Sequence, residues 1–162
     1  NKIREQGQTR KRYIHDDLGY NYRMTNVHAA ILLGQLESVD YVHKEKLRVF
    51  ERYRSNLKNK DGIDLQSSED NTEHSMWMNG VKFRGLECYE DANTYFTSKG
   101  IETRPMFYPF VEQSHLRTIK GPIKNATSLN ERVVVFPSYA ELGNTEIDYI
   151  CSCILKFREE LE

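Results

Sequence analysis

Residues 26–58, NVHAAILLGQLESVDYVHKEKLRVFERYRSNLK, decide the fold. Apolar side chains recur there at Val27, Ala30, Ile31, Leu33, Leu36, Val39, Val42, Leu47, Phe50, Tyr53 and Leu57. Steps of mostly three and four keep one face of a long helix apolar. Thr25 or Asn26 can cap its start, and Lys60-Asp61-Gly62 ends it. A helix of about thirty residues measures roughly 45 Å, longer than a small domain needs. It is therefore expected to span two domains or two subunits, with the charge-rich residues 44–54 as its solvated face.

Downstream the period changes. Residues 66–73 form a polar loop, and residues 75–83 (SMWMNGVKF) alternate as a strand in which Gly80 marks a bulge. Trp77, the only tryptophan, is expected in the core. Residues 88–99 carry an amphipathic helix closed by Gly100, and residues 101–104 a short strand before Pro105. Residues 113–130, with Gly121-Pro122, form a loop or a short helix plus loop. Residues 131–136 (ERVVVF) are a β-branched run typical of a buried strand. Asn144 or Thr145 caps a last helix with its apolar face at Ile147, Ile150, Ile154, Leu155 and Phe157. The expected class is α+β: a long N-terminal helix followed by a small sheet with helices packed on one face. The chain divides into residues 1–25, an interface loop; 26–60, the linking helix; and 61–162, a small α+β domain.

Composition narrows the function. The 23 basic and 24 acidic residues give a formal net charge of -1 and are interspersed. The basic start at Lys2, Arg4, Arg10, Lys11 and Arg12 is too short a stripe for a nucleic-acid binder. Three cysteines, Cys88, Cys151 and Cys153, make an odd count without a CxxC, as expected for reduced thiols in a cytoplasmic protein. His15, His28, His43, His74 and His115 form no metal-ligand spacing. No apolar run approaches the length of a membrane span, roughly 20 residues, and no signal peptide opens the chain.

The chemistry-bearing residues gather just before the long helix. His15 is followed by Leu18-Gly19-Tyr20-Asn21-Tyr22-Arg23-Met24-Thr25. Glycine permits a turn, the tyrosines offer faces, and Asn21 and Arg23 supply donors at a helix entry, a natural anion site. A packed loop with a capped helix accounts for the same residues.

The string HDDLGYNYRMTNVHAAILLGQLESVD at 15–40 resembles the H-x-x-x-GYNYRM-T-x-x-x-AA-x-x-x-x-QL block of the DegT/DnrJ/EryC1/StrS sugar aminotransferases. Gly100-Ile101-Glu102-Thr103-Arg104-Pro105-Met106-Phe107-Tyr108-Pro109 looks like that family's GIETRP-x-FYP segment, and Val135-Phe136-Pro137-Ser138-Tyr139 like its LP-x-Y strand end. The resemblance implies the C-terminal portion of a fold-type I enzyme dependent on pyridoxal 5'-phosphate (PLP). Such an enzyme moves an amino group, usually from glutamate, to a nucleotide-linked keto-sugar; GIETRP with FYP is reminiscent of perosamine-type enzymes acting on GDP-4-keto-6-deoxymannose, while relatives acting on dTDP or UDP sugars share most of the block.

The family's PLP lysine lies before the GYNYR block, so the resemblance assigns no catalytic lysine here. It implies that Asn21 reaches the PLP phosphate of the other subunit of a homodimer, with Arg23 beside it. Arg104, Phe107 and Tyr108 resemble residues near the nucleotide-sugar pocket, and His15 is a further substrate contact. Each has a plainer role open to it: Asn21 capping its own loop, residues 104–108 packing a strand end, and His15 in an exposed turn. One departure stands out, since many relatives carry a histidine close to Pro109, where this chain has Phe110-Val111-Glu112. A stand-alone binding or dimerisation module derived from the same fold is the alternative to a piece of an enzyme.

Overall fold

The computed structural model describes residues 4–11, 13–116 and 123–161. Lys2 and Arg12 of the basic start and the Gly121-Pro122 turn lie outside them. The chain forms two units, Asn1–Asp40 and Tyr41–Glu162.

In the first unit, Thr25 caps helix α1 (Asn26–Glu37), its Oγ1 accepting from the His28 N–H at 3.3 Å. The expected continuous helix is interrupted: α1 stops at Ser38, and α2 (Val39–Leu57) begins after it. Ser38 leaves helical geometry at φ -107° and ψ 3°, and its Oγ donates to the carbonyls of Gly34 and Gln35. A serine bonding backward in this way competes with the main-chain ladder. None of the residues of α1 is buried. Val27, Ile31, Leu32, Leu33 and Leu36 are all exposed, so the helix is apolar around its circumference and not along one face.

The second unit is a four-stranded antiparallel sheet in the order β1-β2-β4-β3, from β1 (Ile63–Leu65), β2 (Asn79–Phe83), β3 (Arg104–Pro105) and β4 (Val133–Phe136). Helices α2, α3 (Tyr89–Ser98) and α5 (Asn144–Glu160) share one core with the sheet, and α4 (Lys124–Arg132) leads into β4. Val49, Tyr53 and Leu57 of α2 join Val81, Phe83, Val134 and Phe136 of the sheet in that core. At its centre Phe96 lies 4.9 Å from Phe136 and 5.1 Å from Phe157, ring centroid to centroid, both edge-on. That is the geometry aromatic quadrupoles favour.

Local chemistry explains where the elements stop. Helix α3 ends in a Schellman motif: the Ile101 N–H donates to the Phe96 carbonyl and the Gly100 N–H to that of Thr97, with Gly100 at φ 72° as expected. Glu131 and Arg132 close α4, so the strand expected from residue 131 begins at Val133. The cap of α5 is Gly143 and neither Asn144 nor Thr145, because Asn144 Oδ1 accepts from Arg48 instead. Gly80 sits in regular register opposite Val135, without the expected bulge. A Cβ there would lie 3.1 Å from a Val133 methyl, so the glycine serves close packing across the sheet.

Candidate functional site

In the first unit the loop before α1 is built on backbone contacts. The Gly7 carbonyl accepts from Asp16 N–H at 3.1 Å, and Gln8 pairs with His15 in an isolated bridge. Gly19 passes so close to Gln6 that a Cβ would overlap the Gln6 carbonyl, so only glycine fits. His15 Nδ1 donates to the same carbonyl at 3.0 Å. Beyond this brace the loop turns outward. Tyr20 and Tyr22 stack at 5.3 Å with ring planes 13° apart, and Asn21 and Arg23 flank Tyr22 in the exposed part of the loop. Among the described residues no side-chain hydrogen bond or ion pair is made by Asn21 or Arg23. Their donors point to no partner within the unit, an arrangement that suits a phosphate.

In the second unit the row Lys46, Arg48, Arg52, Tyr53 and Asn56 along α2 grips the connection from β4 to α5. Lys46 Nζ donates to the Trp77 carbonyl at 3.0 Å, to Ser138 Oγ at 3.2 Å and to the Ser138 carbonyl; burial lowers the pKa of this ammonium. Arg48 donates to the carbonyls of Ala140 and Leu142 at 3.2 and 2.7 Å. Arg52 pairs with Asp148 at 2.5 Å, and Asn56 donates to the same carboxylate at 2.8 Å. Those bonds, Arg52 first, hold Asp148 below its ordinary pKa. Tyr53 donates to the Pro137 carbonyl at 3.0 Å, and burial raises the pKa of its hydroxyl. Part of the stretch expected to be solvated therefore fixes the 137–143 turn and, through Asp148, the first part of α5.

That turn forms one wall of a cleft of about 570 Å³. Buried Ile101, Phe136 and Leu142 make its floor, and Arg104 stands at its rim, exposed, with Nη2 3.9 Å from a Glu102 oxygen. The structure brings two of the three expected residues of this segment to one place: Arg104 lines the cleft, and Phe107 lies 6.2 Å from Trp77, which lines it too. Tyr108 is exposed beside them in sequence without a ring contact among the described residues. Trp77, expected in the core, is 65% exposed. With Tyr139 and Tyr149 it gives the cleft aromatic edges that the sequence did not reveal.

Two further absences hold among the described residues: no cluster of three or more His, Cys, Asp or Glu is placed to hold a metal ion, and no helix is long and apolar enough to cross a membrane.

The DegT/DnrJ/EryC1/StrS aminotransferase family model matches residues 1–155. The GDP-perosamine synthase of Escherichia coli O157:H7 is 36% identical over 149 residues, an alignment covering 91% of this chain and 40% of that protein. Two solved structures share the fold. Helicobacter pylori PseC, an aminotransferase involved in the biosynthesis of pseudoaminic acid, superposes with a TM-score of 0.84 at 16% identity over 98% of this chain and 45% of its own. The sugar aminotransferase CalS13 from Micromonospora echinospora gives 0.81 at 20% identity over 96% and 43%.

Proposed function

Since the chain belongs to the DegT/DnrJ/EryC1/StrS aminotransferase family, we propose that it is the C-terminal part of a PLP-dependent enzyme that transfers an amino group from glutamate to a nucleotide-linked keto-sugar. The observation that carries this is the 36% identity to a GDP-perosamine synthase across nearly the whole chain, and GDP-4-keto-6-deoxymannose is the substrate it favours. The chain spans 40% of that relative's length, and the lysine that holds PLP is assigned to none of its positions.

The groups this chain brings are donors and aromatic faces. The Asn21 amide and the Arg23 guanidinium, held outward by the loop braced at Gly19 and Thr25, bind the PLP phosphate across the interface of a cytoplasmic homodimer. Bound there, PLP acts as the electron sink for amino transfer. Arg104 takes the substrate diphosphate, for which a planar guanidinium is suited. Phe107 and Tyr108 offer faces to the sugar nucleotide, and His15, in the first unit, is a further substrate contact. Helix α1, apolar on all sides, is covered in this arrangement by the remainder of the protein and the second subunit, the burial that such a helix requires.

Equilibrium dialysis of PLP against the protein extended to its relatives' length tests the assignment of Asn21. One hydrogen bond to a charged group is worth about 1.5–3 kcal/mol, so Asn21→Ala is expected to weaken PLP binding by about one to two orders of magnitude. Unchanged affinity with a lowered melting temperature would show Asn21 to be a structural loop residue.

A further inference from the structure

We propose that Asn130 is a positioning residue for the substrate: its side-chain amide fixes the backbone at Met106 and, through it, the heading of Arg104. The inference rests on the aminotransferase reading above and on the diphosphate contact given there to Arg104. It adds a residue on a different helix that touches no substrate itself.

Three observations carry it. First, the strand that bears Arg104 is weakly held by its own ladder. Strand β3 is two residues long and lies at the edge of the sheet, with Arg104 opposite Val135 and Pro105 opposite Val134. Proline has no N–H to give, and an edge strand is paired on one side only. Beyond it, Phe107 and Tyr108 make no backbone hydrogen bond among the described residues.

Second, the guanidinium does not hold itself. Arg104 Nη2 lies 3.9 Å from a Glu102 oxygen, with both side chains exposed. That separation is beyond hydrogen-bond distance. The heading of the side chain is therefore set by the backbone on either side of it.

Third, polar side chains from two helices anchor that backbone. Before Arg104, Thr103 is buried, with Oγ1 3.0 Å from Tyr89 Oη, and the Tyr89 hydroxyl donates to Asn93 Oδ1 at 3.2 Å. Tyr89 packs against the core, so this end is tied to α3. After Arg104, Asn130 Nδ2 donates to the Met106 carbonyl at 2.7 Å, a partner 24 residues away. Asparagine side chains commonly bond to neighbouring backbone; this one reaches a distant strand end instead. Asn130 is half-buried in the last turn of α4, which runs directly into β4, the strand that β3 pairs with. The bond thus fixes the segment against its single ladder partner. Loss of the core-linked Thr103 anchor is expected to register as stability, and loss of the marginal Asn130 anchor as a displaced Arg104.

The test uses the protein extended to its relatives' length. Asn130→Leu keeps the volume of the side chain and removes the donor. It is expected to raise the KM for the nucleotide keto-sugar about tenfold, less than the hundredfold that a misplacement of about 1 Å can cost, because the ladder to β4 remains. The kcat and the affinity for PLP should stay near wild type, and GDP binding by calorimetry should weaken by the same factor as KM rises. Asn130→Asp, of the same size and without the amide donor, gives the same loss should the leucine variant not fold. Asn130→Gln keeps an amide and should recover part of the affinity. A double-mutant cycle separates positioning from general bracing: in an Arg104→Met background, adding Asn130→Leu should leave GDP affinity where Arg104→Met has put it.

Unchanged KM and GDP affinity in Asn130→Leu overturns the proposal, and so does an equal loss with and without Arg104. The two levels of inference fail separately. Amino transfer by the wild type, with Asn130→Leu indistinguishable from it, removes the positioning role alone. Failure of the wild type to aminate any nucleotide keto-sugar removes the assigned reaction, and the cycle on GDP then decides the role of Asn130.

Discussion

Replacing Lys46 by methionine keeps the length of the side chain and removes the ammonium. Nζ donates to three oxygens, the Trp77 carbonyl at 3.0 Å, Ser138 Oγ at 3.2 Å and the Ser138 carbonyl. A hydrogen bond from a charged donor contributes about 1.5–3 kcal/mol when well shielded. Two features reduce the sum here. The ammonium is half-buried, and its pKa is lowered by desolvation, so part of the gain is offset. The Trp77 carbonyl also keeps a second donor in Ser138 Oγ at 3.1 Å. The expected net loss is about 1–2 kcal/mol for the whole set. With a urea slope of about 2 kcal/mol per molar, mid-range for a small protein, the unfolding midpoint should fall by roughly 0.5–1 M.

Because the bonds end on the backbone of Trp77, the loss should also be visible locally. Wild-type unfolding is expected to coincide by far-UV circular dichroism and by tryptophan emission. In Lys46→Met the emission change should come first, at urea concentrations where the helices persist. Lys46→Arg, which retains donors, should recover part of the midpoint. An unchanged midpoint and emission in Lys46→Met would refute the claim that this lysine fixes the wall of the cleft.

Asp148 is held below its ordinary pKa by Arg52 and Asn56. A depressed carboxylate contributes stability that is present above the unfolded pKa, about 3.9, and lost as pH falls through the folded value. Asp148→Asn should therefore flatten the acid limb of stability below about pH 4 in urea titrations at stepped pH; an identical limb contradicts the pair's role. Burial pushes the Cys151 thiol up to about 11, and Cys153 is also buried while Cys88 is half-exposed. An aromatic disulfide reagent at pH 8 should thus modify Cys88 alone until denaturant is added, and three fast thiols in the native protein would contradict this. Phe96→Ala empties the centre of the aromatic cluster and should cost about 3–5 kcal/mol, measured as loss of cooperative thermal unfolding; a shift of only a few degrees would mean that the cluster repacks.

Periodicity made much of the second unit legible. Tyr53 and Leu57 fall in the core as spaced, although Val49 takes the place beside them that the spacing gave to Leu47, which is exposed, and Gly100 closes α3 as its place after an amphipathic run predicts. What escaped depended on single atoms or on distant partners. Ser38 ends α1 through a side-chain bond that competes with the helix, a role equally compatible with a serine inside one. Trp77 was misplaced because β2 begins only at Asn79, so that strand parity does not reach back to residue 77, and Met76 rather than its neighbour is buried. The gripping roles of Lys46, Arg48 and Arg52 rest on carbonyls and a carboxylate about ninety residues on, invisible to a local window. The loop residues Asn21 and Arg23 were legible as donors at a helix entry, and Thr25 as the cap, because those signals are local.

The most direct measurement is amino transfer itself. The protein extended to its relatives' length, supplied with PLP and glutamate, is to be incubated with GDP-4-keto-6-deoxymannose and a panel of other nucleotide keto-sugars, and the products identified by mass spectrometry. The account predicts a glutamate-dependent aminated nucleotide sugar, formed most readily from the GDP substrate. Failure to aminate any member of the panel, by a folded protein that has bound PLP, would contradict it.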